Sequence, residues 1–348
     1  MGNMNDINLK AMIMAAGVGS RLDPLTQEVP KPLVPVCNRP VMDILFEKLA
    51  KLGVKNVIAN TYYLADKIIS HCKNNTFGIN FDYIKEDTLS GTAGGLKKCQ
   101  YFFKENEDFI VLSADGLSDV DLQFGLDVHR RSGAIATIGI KKIPLKEVSH
   151  FGVVVTDDQG FITEFQEKPK VEEAKSSFIN TGIYIFNYKI FDYIPPDTFY
   201  DFAKNVFPKL LSLRQINTFE INDYWTDIGT LEQYMQAMQD LFEGRCHFEH
   251  SPIVQSERGA YISDTKLRNE VNFIGNSTIG SNCRIGKNVT MKNSILWDDV
   301  VIGDNVVIED SVVASGSEVN TDINSVIVGS NQIIERPVKT NAEKLLIF

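Results

Sequence analysis

Between Ala11 and Phe242 the chain alternates short β-branched or apolar runs with longer amphipathic stretches. Ala11 to Met14, Val57 to Asn60, Phe109 to Ser113, Ala134 to Ile140, Gly152 to Thr156 and Gly182 to Phe186 are runs of strand length. Pro40 to Leu52, Ser118 to Ser132, Phe202 to Leu213 and Leu231 to Phe242 read as helices. Strands alternating with helices predict a parallel sheet with helical crossovers. Ligands of such sheets collect beyond the carboxyl ends of the strands. Asp115, just past one of these runs, is placed to meet one.

Beyond residue 243 helical spacing vanishes and a six-residue repeat replaces it. Phe273, Ile279, Ile285 and Met291 are spaced by six, and Ile302, Ile308 and Ala314 resume that spacing after a shift of one at Trp297. Gly275, Gly280, Gly286 and Gly303 follow apolar residues, where a tight corner favours a residue without Cβ. Three hexads make one triangular coil, so the segment resembles a left-handed parallel β-helix of roughly three or four coils. An ordinary meander of short strands is the alternative. The pattern thus predicts an α/β, Rossmann-like domain with a mixed, mostly parallel sheet at 1–243, a linker at 244–260 and a β-helix with a C-terminal tail at 261–348. Ending in Leu345-Leu346-Ile347-Phe348, the tail either caps the last coil or packs against a neighbour.

A length of 348 residues suits about two domains. No run is apolar enough to span a bilayer, and residues 1–9 carry neither a basic nor an apolar leader region, so a cytoplasmic protein without a membrane partner is expected. The net charge of −10 argues against nucleic acid as a bulk partner and leaves a small anionic ligand open. Cys37, Cys72, Cys99, Cys246 and Cys283 contain no C-x-x-C pair, which points to reduced, packed thiols rather than disulfides or zinc.

The run Met14-Ala15-Ala16-Gly17-Val18-Gly19-Ser20-Arg21-Leu22 follows a predicted strand, so small residues stand where the backbone turns. Backbone N–H groups of Ala15, Ala16, Gly17 and Gly19 would cradle an anion there, and Arg21 adds a fork of donors for phosphate oxygens. The dinucleotide fingerprint is incomplete, and the segment runs on into Pro24, Pro30, Pro32 and Pro35 rather than into a helix. It also lacks the Lys and Ser or Thr arrangement of a P-loop. In Pro30-Lys31-Pro32-Leu33-Val34-Pro35 two prolines restrict the backbone of Lys31 and pre-aim its ammonium group.

On these residues the stretch from Ala15 to Pro40 resembles the signature of the sugar-1-phosphate nucleotidyltransferases, and most of all the mannose-1-phosphate guanylyltransferases. Similarity continues through the chain, including the hexapeptide-repeat tail. The resemblance implies that Arg21 and Lys31 contact a nucleoside triphosphate. Glu86 and Ser90-Gly91-Thr92-Ala93-Gly94-Gly95 look like the family's base-recognition loop, with Glu86, Gly91 and Thr92 as nucleotide contacts. An ionised Glu only accepts hydrogen bonds, which suits the adjacent N1–H and N2–H₂ donors of guanine. Lys85-Glu86-Asp87 equally reads as a solvated charge run. Asp115 and Asp227, in Trp225-Thr226-Asp227-Ile228-Gly229-Thr230, match the two metal-binding aspartates, which would hold Mg²⁺ together with phosphates and water. A lone Asp after a strand is otherwise often only a cap. Many members have Gly before the first aspartate, where this chain has Ala114. Glu167-Lys168-Pro169 resembles the sugar-phosphate clamp, with Gly152 and Asn180 as further sugar contacts.

The expected catalytic set is Arg21, Lys31, Asp115, Lys168 and Asp227, joining a triphosphate, GTP by preference, to mannose 1-phosphate, with glucose or heptose 1-phosphate and UTP, dTTP or GTP as the alternative. Three rival classes are weighed against it. A β-helix acyltransferase uses a coil histidine, yet the last histidine, His250, precedes the recognisable coils. A silent regulatory subunit need not keep all five catalytic residues. A dinucleotide oxidoreductase needs the fingerprint that is incomplete here. Open coil edges and the apolar C-terminus point to a homo-oligomer.

Overall fold

The computed structural model describes residues 9–247, 254–255, 260–263, 265, 267, 271–335 and 345–347. His250, Phe348 and much of the expected linker lie outside them. The contact pattern does not divide the described chain at residue 243. Residues up to Gly17 and Met42–Asp227 form one compact unit, while Val18–Val41 joins the chain from Ile228 onward in a second.

In chain order the first unit holds β1 (Lys10–Ala15), α1 (Val41–Lys51), β2 (Asn56–Thr61), α2 (Ala65–Lys73), β3 (Asn80–Lys85), α3 (Gly91–Lys98), β4 (Asp108–Ser113), β5 (Gly116–Ser118) and α4 (Leu122–Ser132). There follow β6 (Ala136–Lys142), β7 (Gly152–Thr156), β8 (Ile162–Glu167), β9 (Phe178–Asn187), α5 (Phe207–Ser212), β10 (Ile216–Glu220) and β11 (Trp225–Asp227). A nine-stranded sheet runs β8-β7-β9-β4-β1-β2-β3, with β6 pairing β9 and β10. The β4-β1-β2-β3 half is parallel, and β9 enters antiparallel to β4, β6 and β7. The sheet is thus mixed, with central strands buried on both faces, as their apolar runs require.

Two expected helices differ in detail. The helix read from Ser118 begins at Leu122, because Gly116–Ser118 is already paired with β11 and the Asp121 carboxylate caps the helix by accepting from Phe124 N. The helix read from Phe202 opens with a π-helical stretch, Phe202–Val206, before α5. All five cysteines are buried thiols outside any disulfide, and burial pushes the Cys283 thiol up to about 11.

At the other end of the sheet, His129 of α4 is buried with Nδ1 2.8 Å from Thr137 Oγ1 and Nε2 3.4 Å from Asp108 Oδ1. Burial pushes the Asp108 carboxyl up, but hydrogen bonds from His129 and Asn187 and the charges of His129 and Arg130 outweigh it and hold it below the ordinary range. A carboxyl depressed in the fold stabilises above its unfolded pKa, near 4, and that stabilisation disappears as pH falls through the folded value. Asp108→Asn is therefore expected to cost about 1–2 kcal/mol at pH 7 and less at pH 3, read as the difference in urea midpoint between the two proteins at each pH. An equal difference at both values would contradict this account.

In the second unit α6 (Leu231–Phe242) precedes the repeat. The repeat forms three sheets, one for each face of a triangular coil, in which successive coils pair in parallel; among the described residues only Val254–Gln255, at the edge of one sheet, pairs antiparallel. Phe273, Met291 and Ile308 stack on one face, Ile279, Leu296 and Val313 on the next, and Ile285, Ile302 and Val319 on the third. The apolar positions thus fill the coil interior. Phe273 and Met291 lie eighteen positions apart, three full hexads, but Ile279 and Leu296 lie seventeen apart and Ile308 and Ile323 fifteen, so the coils shorten along the stack. Corners are turned by Asn288, Asn293, Asp299, Asn305 and Asp310 at positive φ as well as by glycine. The tail strand Leu345–Ile347 extends the stack by pairing parallel with Val326–Val328.

Candidate active site

Within the first unit the expected residues converge at the carboxyl ends of β1, β2 and β4 and on β8 and β9. β1 delivers Ala15, whose N–H donates to Asn60 Oδ1 at the end of β2 (3.3 Å). Asn60 Nδ2 donates to Glu86 Oε1 (2.8 Å), and Glu86 Oε2 accepts from Ser90 N (3.0 Å), Ser90 Oγ and Lys98 Nζ (3.3 Å). Glu86 is 4% exposed, so it is neither a solvated charge nor a free acceptor pair. Its donors come from the protein, and it ties β2 to the start of α3. Asn60, which no sequence pattern singled out, is the hinge of this network.

The start of α3 is clasped by residues 198–202. Ala93 N and Gly94 N both donate to Tyr200 O (3.0 Å each), and Tyr200 N donates to Ser90 O (2.8 Å). Thr92 Oγ1 donates to Asp201 Oδ2 (3.0 Å) and accepts from Phe202 N (2.9 Å). A Cβ on Gly91, which has φ +76°, would stand 2.5 Å from Tyr200 O, so only glycine fits. Gly91 and Thr92 therefore have an internal role that the sequence did not announce.

Asp115 follows β4, where Ser113 Oγ donates to its Oδ1 (2.5 Å). Antiparallel pairing of β11 with β5 sets Asp227 opposite Gly116, the neighbour of Asp115. Two carboxylates are thereby carried by adjoining strand ends. Among the described residues no group of three or more His, Cys, Asp or Glu gathers for a metal. A pair of hard oxygen donors fits Mg²⁺, which takes one or two carboxylates and leaves its other positions to phosphate and water.

Glu167 pairs with Gly152 across β8 and β7, and Lys168 N donates to Phe151 O (3.1 Å). Lys168 has φ +48°, a strained conformation that such sites commonly hold. Burial raises the Glu167 carboxyl; Lys168 pulls it down, Asp201 pushes it up and Lys204 pulls it down. On β9, Asn180 Nδ2 donates to Tyr184 Oη (3.0 Å), across an irregularity in register that Gly182 allows at φ +75°. Burial holds the Tyr184 hydroxyl well above its usual value; Asn180 lowers it, and the charges of Asp201, Glu167 and Asp115 raise it further. These acids and Asn180 thus share one neighbourhood, to which Asp201 is an addition. Trp225 Nε1, buried beside Phe151, has no hydrogen-bond partner among the described residues.

The second unit carries Gly19, Arg21 and Lys31. Gly19 adopts φ +78°, and a Cβ there would meet Lys31 Cβ at 3.0 Å, so the buried lysine stem lies against the glycine backbone. Lys31 begins a 3₁₀ turn, and Arg21 is exposed. In the first unit, a Cβ on Gly17 would meet nothing within 4 Å, and Ala16 is buried.

Two family models match the chain: Nucleotidyl transferase over residues 10–244 and EIF2B subunit epsilon LbH domain over 249–345. The chain is 38% identical to a UTP--glucose-1-phosphate uridylyltransferase of Synechocystis sp., covering 79% of each chain. It is 33% identical to the mannose-1-phosphate guanylyltransferase catalytic subunit beta of Xenopus tropicalis, covering 79% of this chain and 74% of that one. Among solved structures, a putative glucose-1-phosphate thymidylyltransferase from Bacillus anthracis matches with TM-score 0.59 and 26% identity over 66% of this chain and 94% of that one. HddC from Yersinia pseudotuberculosis, complexed with GMP-PN, matches with TM-score 0.57 and 26% identity over 67% and 99%. The chain belongs to the nucleotidyl transferase family, among the sugar-1-phosphate nucleotidyltransferases that carry a left-handed β-helix after the catalytic domain.

Proposed function

We propose that this chain transfers a uridylyl group from UTP to glucose 1-phosphate, giving UDP-glucose and pyrophosphate. The observation that carries the choice of base is the engagement of Glu86. Guanine would need a carboxylate free to accept two adjacent donors, whereas Glu86 Oε2 already accepts from Ser90 and Lys98, and Oε1 from Asn60. The Synechocystis relative supports the same pair of substrates. A second reading, GTP with mannose 1-phosphate, is favoured by the Xenopus tropicalis relative.

In either case a sugar-phosphate oxygen attacks the α-phosphorus in line and pyrophosphate leaves opposite. None of the side chains assigned to the reaction is needed as a nucleophile, so the protein would act by placing two anions and offsetting their charge. Lys168 would hold the sugar phosphate, and Glu167 and Asn180 would accept from or donate to sugar hydroxyls. Arg21 and Lys31 would meet the triphosphate, alongside backbone N–H groups of Ala15, Ala16, Gly17 and Gly19. Bound Mg²⁺, held by Asp115 and Asp227, would supply charge neutralisation at the phosphates.

Pyrophosphate release measured for five nucleoside triphosphates against glucose, mannose, N-acetylglucosamine and heptose 1-phosphates is expected to give the highest kcat/KM for UTP with glucose 1-phosphate, by about tenfold or more, the size of a good hydrogen-bond discrimination. Preference for GTP with mannose 1-phosphate would replace the first reading by the second.

A further inference from the structure

The loop bearing Arg21 and Lys31 does not stand on its own: within the second unit it is bonded to the coils of the β-helix. One corner of the coil stack is the column Gly280, Trp297, Ala314 and Gly329. Each follows a strand of the same sheet, and each N–H donates to the strand below, to Leu296 O, Val313 O, Val328 O and Ile347 O at 2.9–3.0 Å. Three of the four are Gly or Ala, so the corner lets another chain approach, and the fourth is a tryptophan.

The loop and α6 occupy that approach at three levels. At the top, Asn38 Nδ2 donates to Ile279 O (2.7 Å) from the turn of a short hairpin in which Pro35–Val36 pairs with Arg39–Pro40. At the next level, Trp297 Nε1 donates to Tyr234 Oη (3.0 Å), and Tyr234 of α6 donates in turn to Pro35 O (2.7 Å). At the last, a Cβ on Gly329 would lie 3.2 Å from Pro24 Cβ, so the loop rests directly on that coil. Trp297 and Tyr234 are among the largest fully buried side chains. Pro35 lies four positions from Lys31, and Val34 N donates to Lys31 O, so the relay ends on the turn that aims the lysine.

We infer that this corner of the β-helix is a template for the loop, and that Trp297 and Tyr234 are positioning residues that hold Lys31 in place through Pro35. The repeat then has a part in the reaction besides any role in assembly. The inference rests on the reading that Lys31 meets the triphosphate.

Both residues lose the relay yet keep an aromatic ring in Tyr234→Phe and Trp297→Phe. With the best substrate pair of the matrix above, each variant of the full chain is expected to lower kcat/KM for the triphosphate about tenfold while KM for the sugar phosphate stays within twofold. Hydrogen exchange at residues 30–41 should quicken. In a Lys31→Ala background, adding Tyr234→Phe should cost less than twofold, because the lysine it positions is gone. Losses that multiply in the double variant, or a lowered melting temperature with both kinetic constants and the exchange of residues 30–41 unchanged, would overturn the positioning role. Normal activity of Lys31→Ala alone would instead remove the reading of Lys31, and the inference with it.

Discussion

Asp227→Asn is expected to lower turnover at least a hundredfold and to leave the fold unchanged. Asp227 closes the short ladder in which it faces Gly116, so its backbone is fixed by pairing whatever its side chain carries. Asparagine preserves size and one acceptor oxygen but removes the negative charge that a hard dication needs. Loss of one charged ligand or transition-state donor in such sites typically costs two to three orders of magnitude. Asp115→Asn should behave alike, since Ser113 already holds one of its oxygens and fixes the side chain's direction. The measurement is pyrophosphate release with saturating substrates, beside far-ultraviolet circular dichroism and a thermal melt. A near-normal rate would take that aspartate out of the metal seat, and a collapsed melt would make it structural.

Much of the scaffold was legible in the sequence because its signals were long and periodic. β1, β4 and β7 lie where apolar runs placed them, and the six-residue spacing from Phe273 onward marks three faces of one coil. What escaped was structure whose local signal pointed elsewhere. α3 carries Gly91, Gly94 and Gly95 within eight residues, which reads as a loop. Those glycines are demanded by tertiary packing: a Cβ on Gly94 would strike Thr198 O at 2.8 Å, and one on Gly95 would strike Asn60 Nδ2 at 2.5 Å. The burial of Glu86 was equally hidden, because its partners Asn60 and Lys98 lie 26 and 12 positions away and no local pattern announces a contact at that range. The grouping of residues 18–41 with the repeat has the same origin. Pro35, Tyr234 and Trp297 are individually ordinary, and only the fold makes them one chain of hydrogen bonds.

Gly286→Ala is expected to destabilise the repeat by roughly 3–5 kcal/mol, a fall in melting temperature on the order of 10 °C. The added Cβ would stand 2.5 Å from both the carbonyl carbon and the oxygen of Gly303 and 2.7 Å from Asp304 N. All three are backbone atoms of the next coil, so no rotamer change relieves the clash. The coils cannot part either, because Gly286 N donates to Ile302 O and Gly303 N to Val319 O, each at 2.9 Å. Relief therefore breaks either the ladder or the corner. Gly17→Ala provides the opposite signature: its Cβ would meet no protein atom within 4 Å, so melting should be unchanged while affinity for the triphosphate falls. Differential scanning calorimetry of both variants, with KM for the triphosphate on Gly17→Ala, separates a glycine kept for packing from one kept for a ligand. An unchanged melt for Gly286→Ala would mean that the coils absorb a methyl where their backbones touch, and the template assigned to the Trp297 corner would lose the rigidity it needs.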